Sequence, residues 1–185
     1  MTRDKIEPTV ILTLSTDNLM NIPIIITNFT GMILSTTHVE KLGFSNYDIR
    51  KKIKEVIDRK IAKYGVDTIL IEQNQLFLDK MDKYPDPMVL RNILLSFGIQ
   101  TTIEDNYWES VKYIMEIPKF EWKKTVLNKR VEYAIDLYKS HILFRKDIKP
   151  ELLKEIEDNN YYEALCLSES LLYSKFLKKQ YQINK

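Results

Sequence analysis

The chain has 185 residues, with 28 Lys and Arg against 26 Asp and Glu, and its formal net charge is only +2. This length suits one core-bearing domain rather than two, so we predict a single domain over residues 1–185. The mixed charges and ordinary apolar content exclude a disordered chain and a bulk polycation, so any affinity for nucleic acid must come from a local cluster.

Three features bear on the compartment. The single cysteine, Cys166, cannot form an internal disulfide, which favours a reducing environment. The first residues, MTRDKIEP, lack the apolar core and cleavage site of a secretion signal, and apolar runs such as IPIII are too short to span a membrane. We therefore expect no membrane contact and a cytoplasmic or nuclear location, or the host cytoplasm for a viral protein.

The first third of the chain predicts three β-strands followed by a helix. Runs rich in β-formers, separated by turn residues, cover 9–16, 22–29 and 31–39 and indicate an antiparallel meander. From Asn46 to Tyr64 apolar residues recur on one stripe, and Gly65 follows as a terminating residue. This pattern predicts a helix over 46–64.

The rest of the chain predicts alternating strands and helices. Residues 66–73 are a nearly continuous apolar run, typical of a strand buried on both faces of a parallel sheet. The remaining predicted elements are a helix from Pro87 to Phe97 ended by Gly98, a strand at 112–120, and helices at 122–144 and 150–179. This order predicts an α/β fold with a mixed sheet, in which the strand at 67–72 lies beside the first strand.

Acidic side chains fall at the ends of two predicted strands and near the start of the closing helix. Asp17 follows the first strand and Glu72 ends the fourth, where open α/β sheets usually place functional groups. The closing helix adds Asp158 and Glu163, with Asn160 three residues before Glu163 on the same predicted face. Oxygen ligands of this kind suit Mg²⁺. The alternative to a metal site is that Asp17 is a turn residue, that Glu72 is a solvated acid at a strand end, and that the stretch with Asn160 and Glu163 is an ordinary helix start.

These motifs together resemble the RuvC-like Holliday-junction resolvases of poxviruses, other large DNA viruses and fungal mitochondria. LSTDNLMN supplies the Ser-x-Asp strand end with a following Asn, and ILIEQNQ with DPMVLRNILLSF supplies an Ile-Glu-x-Gln strand end and a Pro-Met helix. YIMEIPKFEWKK leads a strand into a proline and a basic segment. In NNYYEALCL, Asn160 and Glu163 stand where the family has two Asp. The resemblance covers residues 10 to 173.

The resemblance implies an RNase H-like three-layer fold, a mixed five-stranded sheet with helices on both faces. It also implies that Asp17, Glu72 and Glu163 bind two Mg²⁺ or Mn²⁺ ions for phosphodiester hydrolysis in branched DNA, with Asn160 as a weaker ligand. Asp158 is a substitute acid if the helix starts in another register. A glycine of the family is missing after the first acid, and an alternative register places Ser15 in the catalytic position. Related resolvases are homodimers, so the resemblance also implies a homodimer of this chain.

Two functions of different class remain open from the sequence. The first is a Mg²⁺-dependent, structure-selective endonuclease on branched DNA. The second is a catalytically degenerate pseudo-nuclease that serves as a DNA-binding or scaffolding subunit of a replication or transcription complex, with metal binding weak or absent. Both predict a basic DNA-binding segment, for which the alternative is a solvated helix face. Its predicted contacts are Lys119, Lys123, Lys124, Lys129 and Arg130.

Overall fold

The computed structural model describes residues 9–16, 20–73, 86–118, 145 and 147–173. Within these ranges five strands and four helices follow one another along the chain. The strands are β1 (Val10–Leu14), β2 (Asn21–Asn28), β3 (Ile33–Glu40), β4 (Thr68–Gln73) and β5 (Tyr113–Pro118). The helices are α1 (Asn46–Tyr64), α2 (Pro87–Tyr107), α3 (Pro150–Asp158) and α4 (Tyr162–Tyr173). The predicted helix at 122–144 lies outside the described residues.

The five strands form one mixed sheet in the order β3-β2-β1-β4-β5. β1, β2 and β3 pair antiparallel, whereas β4 lies parallel to both β1 and β5. The backbone N–H of Asp67 donates to Val10 O, and the carbonyl of Asp67 accepts from the N–H of Tyr113, so one residue aligns three strands at their start. The predicted meander and the predicted pairing of the fourth strand with the first are confirmed.

Helices cover both faces of the sheet, which gives three layers. On one face α1 and α2 bury a core against the strands, built from residues such as Leu12, Ile69 and Ile53. On the other face α3 and α4 bury a second core that includes Ile11, Leu70 and Leu165. Alternate residues of β1 and β4 therefore point into different cores, as the period of a strand requires. The predicted α/β fold with helices on both faces is confirmed.

Helix α1 begins and ends where its sequence predicts. Ser45 and Asp48 form a capping box, in which the Ser45 hydroxyl accepts from the Asp48 N–H at 3.1 Å and the Ser45 N–H donates to the Asp48 carboxylate at 3.3 Å. At the other end Gly65 adopts a left-handed conformation, and its N–H donates to Ile61 O at 2.9 Å. These local bonds satisfy backbone groups that a helix end otherwise leaves unpaired.

Two helix predictions are wrong. α2 does not end before Gly98 but continues to Tyr107. A Cβ atom at Gly98 would lie 3.0 Å from the Arg50 side chain of α1, so this glycine serves the close approach of α1 and α2 rather than a helix end. The predicted closing helix at 150–179 is two helices, α3 and α4, within the described residues. Among the described helices, none combines the length and the apolar character that crossing a membrane requires.

Candidate functional site at the mouth of the sheet

The carboxyl ends of β1 and β4 lie side by side at one end of the sheet, because the two strands are parallel neighbours. Leu14 pairs with Ile71, so the residues that follow in each chain segment emerge side by side. We call this end of the sheet the mouth. Ser15, Thr16 and Glu72 form its described floor, and each is 2% exposed or less. Asp17, the next residue after this floor and the first predicted acid, lies outside the described residues.

Glu72 is buried at the predicted position, at the end of β4. It pairs with Ile117 of β5 on one side, and β1 ends on the other. A carboxylate without compensating charge or hydrogen bonds is costly in such a position. The interpretation of Glu72 as a solvated strand-end acid is therefore wrong, since the side chain is only 2% exposed.

A lysine that sequence reasoning missed is buried at the mouth, against Thr16. Lys41 follows the last residue of β3 and is 4% exposed. Its ammonium group donates to Thr16 O at 2.7 Å and to Asn92 Oδ1 of α2 at 2.5 Å. The pKa of Lys41 is lowered to about 8, mainly by burial and in part by the charge of Arg91, while the charge of Glu72 opposes both. Glu72 is therefore close enough to Lys41 for their charges to interact.

Helix α2 is tied to the mouth by a second contact. The Ser96 hydroxyl donates to Thr16 Oγ1 at 2.7 Å, one turn of helix away from Asn92. Thr16 is thus bound at two atoms: its carbonyl oxygen accepts from Lys41, and its hydroxyl accepts from Ser96. The polar Asn92 inside the apolar run VLRNILL was the available sequence signal, but nothing local connected it with a lysine 51 residues earlier.

The turn between α3 and α4 also lies at this end of the sheet. Asn21, the first residue of β2, donates through Nδ2 to Asn159 O at 3.4 Å. The ring of His38 on β3 shares a hydrogen bond of 2.7 Å with the Tyr161 hydroxyl. These bonds hold the start of α4 at this end of the sheet, and Glu163 lies partly buried in the first turn of that helix. Its predicted role as a ligand stays a prediction.

Asn160 does not have the helical geometry that the sequence predicted. Asn160 has a φ of 53°, the left-handed conformation in which an Asn often ends a helix. The N–H of Tyr161 donates to Ile156 O and that of Asn160 to Glu157 O, the bonds of a Schellman motif. Asn160 is exposed and outside both helices, so it does not lie one turn before Glu163 on a shared helix face. Asp158 is exposed at the end of α3.

The described residues do not by themselves fit a divalent cation. No group of three or more His, Cys, Asp or Glu side chains within them could hold a metal ion. Glu72 and Glu163, the two described acids proposed as ligands, come from different elements, β4 and α4. The predicted DNA contacts cannot be placed on the fold, because all of them lie outside the described residues: Lys119, Lys123, Lys124, Lys129 and Arg130.

Similarity to known proteins is found in structure and not in sequence. No family model matches this sequence, and no curated protein matches it. RuvC of Thermus thermophilus superimposes with a TM-score of 0.62 at 9% identity, covering 95% of this chain and 100% of that one. T. thermophilus RuvC in complex with a Holliday junction substrate gives 0.59 at 7% identity, covering 95% and 99%.

A third similarity is to the yeast mitochondrial Holliday junction resolvase Ydc2. Its TM-score is 0.48 at 12% identity, with coverage of 95% of this chain and 85% of that one. This score is too low to support any conclusion. The two RuvC structures, which match nearly whole chain to nearly whole chain, show that the fold is the RuvC-like, RNase H-like α/β fold.

Proposed function

We propose that this chain is a RuvC-like protein of the Holliday-junction resolvase type that binds branched DNA, and that its Mg²⁺-dependent cleavage of DNA is slow or absent. The observation that supports binding is the fold similarity to RuvC over 95% of the chain, including RuvC in complex with a Holliday junction substrate.

Weak cleavage follows from the charges at the mouth. Phosphodiester hydrolysis of this type needs several carboxylates around a cation, which polarises the reacting oxygens when bound. Asp17, Glu72 and Glu163 are the acids that we propose for this role. Asn160 contributes no charge where the family that this sequence resembles has an Asp. The net negative charge available to a cation is therefore small.

A second candidate is a pseudo-nuclease that serves as a subunit of a larger assembly. The specific observation in its favour is a group of exposed apolar side chains at the start of α2 and the neighbouring loop, as is common at protein contacts. The group consists of Leu42, Met88, Val89 and Leu94, which are between 48% and 58% exposed. A homodimer would also use such a surface, and light scattering at several protein concentrations separates the two.

The proposed function is tested with two matched DNA substrates, a four-way junction and a linear duplex built from the same sequences. Electrophoretic mobility is measured without divalent cations, and nicking is measured with Mg²⁺ or Mn²⁺. We expect tighter binding of the junction and little nicking. Cleavage that persists in Glu72→Gln comes from a contaminant, because that variant removes the buried mouth acid. Equal affinity for junction and duplex contradicts the proposal.

A further inference from the structure

We propose that one flank of α1 is a binding surface for the phosphate backbone of DNA, formed by Lys52, Arg59 and Lys63 beside the groove between α1 and β3. The inference deepens the proposed function by naming a contact surface within the described fold, and it rests on that function for DNA as the partner. The surface involves neither the acids proposed as metal ligands nor the basic segment that follows β5.

Positive charge is concentrated on α1. The helix contains seven Lys and Arg against three acids, whereas the net charge of the whole chain is only +2. Two of the three acids already have partners. Asp48 accepts from Ser45 in the capping box, and Asp58 accepts from Lys54 Nζ and from the Tyr107 hydroxyl, both at 2.7 Å. In a nearly neutral chain, affinity for a polyanion requires a local excess of this kind.

Three of the cations form a straight row along the helix, which we call the cation row: Lys52, Arg59 and Lys63. Residues 7 and 11 positions apart point in nearly the same direction from an α-helix, and 11 positions extend over about 16 Å. Arg59 and Lys63 are exposed, and Lys52 is partly exposed. The row therefore presents positive charge at several points along a line, which suits the regularly charged backbone of a nucleic-acid strand.

The contacts of the row hold its side chains without neutralising them. The ammonium group of Lys52 lies 3.0 Å from the centre of the Phe44 ring. Arg59 Nε donates to the main-chain carbonyl oxygen of Glu55 at 3.2 Å, not to its carboxylate. Among the described residues, no member of the row forms an ion pair with a carboxylate. The charges of the row thus remain available to an anion from solution.

Like charges crowd one another at the end of the row. Lys60 follows Arg59 directly, and its ammonium group donates to a serine hydroxyl of β3 at 2.6 Å. The pKa of Lys60 is lowered, mainly by burial and in part by the charges of Lys63 and Arg59, while Tyr64 and Glu155 oppose the shift. A phosphate group bound beside these cations would reduce their mutual repulsion.

The row borders a groove of about 400 Å³ between α1 and β3, the strand at the edge of the sheet. Lys52 and Arg59 line the groove from the helix. Two acids, Glu40 and Glu55, line it as well. Since the row and Lys60 together supply four cations, the groove and its border keep an excess of positive charge.

The groove is less suited to a protein partner. Protein interfaces depend on aromatic or aliphatic anchors and are depleted in lysine. The two apolar residues that line the groove, Val39 and Val56, are buried. None of the large apolar side chains that are exposed among the described residues lines it. Charge is therefore the main feature that the groove offers to a partner, and phosphate groups match it.

The experiment measures binding of a linear DNA duplex over a range of salt concentrations. The row variant is Lys52→Gln/Arg59→Gln/Lys63→Gln, and the matched control removes three exposed lysines elsewhere, Lys112→Gln/Lys149→Gln/Lys154→Gln. We expect the row variant to bind at least about tenfold more weakly than the wild type at low salt, and its log–log salt slope to fall by about 2 to 3, because up to three phosphate contacts are lost. The control should stay within about twofold of the wild type.

Three results overturn the inference. The first is a row variant with the same affinity and salt slope as the control. The second is a wild type without measurable affinity for the duplex. The third comes from poly-glutamate as a second probe: a loss of binding confined to poly-glutamate, with duplex affinity unchanged, indicates an acidic protein partner instead of DNA.

A gain of affinity keeps the inference testable if the row variant folds poorly. Glu55→Gln removes an acid from the groove and leaves every cation in place, so it should bind the duplex at least about twofold more tightly than the wild type at low salt. Unchanged affinity in Glu55→Gln rejects the inference in that case. Equal affinity of the wild type for junction and duplex contradicts the proposed function but not the cation row, so the two failures differ in their signature.

Discussion

The buried acid Glu116 should make the stability of the folded protein depend on pH. This acid lies on β5, is 8% exposed, and accepts a hydrogen bond from Gln100 Nε2 of α2. The pKa of Glu116 is raised to about 8, mainly by burial and in part by the neighbouring carboxyl group of Glu104, while the bond from Gln100 opposes the rise. The folded protein therefore holds a proton on Glu116 that the unfolded chain has already released near neutral pH.

The sign and size of the effect follow from linkage between protonation and folding. Because the pKa is higher in the folded state, the stabilisation is complete below the unfolded value of 4.5 and is lost as the pH rises to about 8. The difference between these values corresponds to at most about 5 kcal/mol. Local relaxation and water entry beside β5 reduce this limit, so we expect the wild type to lose about 1 to 3 kcal/mol over that range.

The assay is urea unfolding of the wild type and of Glu116→Gln at about pH 5, 7 and 9. The amide keeps the shape of the side chain and cannot ionise, so the variant should become the more stable protein as the pH rises. Glu104→Gln should show part of the same effect, because it removes the like charge. Glu109→Gln, an exposed acid of the segment after α2, is the matched control and should follow the wild type. Parallel stability curves for wild type and Glu116→Gln would refute the reasoning.

Three further predictions concern the helix ends and the basic segment. Ser45→Ala should cost about 1 kcal/mol in urea unfolding, because the first turn of α1 loses its side-chain cap, and an unchanged midpoint would contradict the capping role. Asn160→Ala should also lower the free energy of unfolding by about 1 kcal/mol, and Asn160→Gly should change it very little, because φ is positive at this residue. Asn160→Asp should raise the affinity for Mn²⁺ in calorimetry only if this residue faces a metal. Combined charge reversal in the basic segment should weaken DNA binding equally across sequences and flatten its salt dependence, and an unchanged salt slope would indicate a solvated face. The residues to reverse are Lys123, Lys124, Lys129 and Arg130.

Local signals in the sequence were sufficient for much of the fold. The stripe of apolar residues and Gly65 were sufficient to predict α1 over 46–64, and the apolar run before Glu72 identifies a strand buried on both faces. The order of elements then predicts the sheet, because a strand that follows a helical crossover pairs in parallel. Glu72 could be placed at a strand end by the same reasoning.

Features that depend on distant residues could not be predicted. Gly98 looks like a helix end in sequence, and only the Arg50 side chain of another helix shows why it is internal. The break at Asn160 depends on backbone bonds of a Schellman motif in a stretch that otherwise favours helix. Lys41 looks like any lysine after a strand, and its burial results from contacts with β1 and α2 that no local pattern contains.

The central position of β1 in the sheet has a consequence for the order of folding. Its pairing with β2 joins residues close in sequence, whereas its pairing with β4 joins Ile11 to Thr68 and Leu14 to Ile71. Closure of so long a loop is entropically slower than formation of a hairpin. The edge of β1 that pairs with β4 therefore stays unpaired until the chain has been synthesised beyond α1. A nascent chain that ends near Tyr64 presents that edge to any other strand in its surroundings.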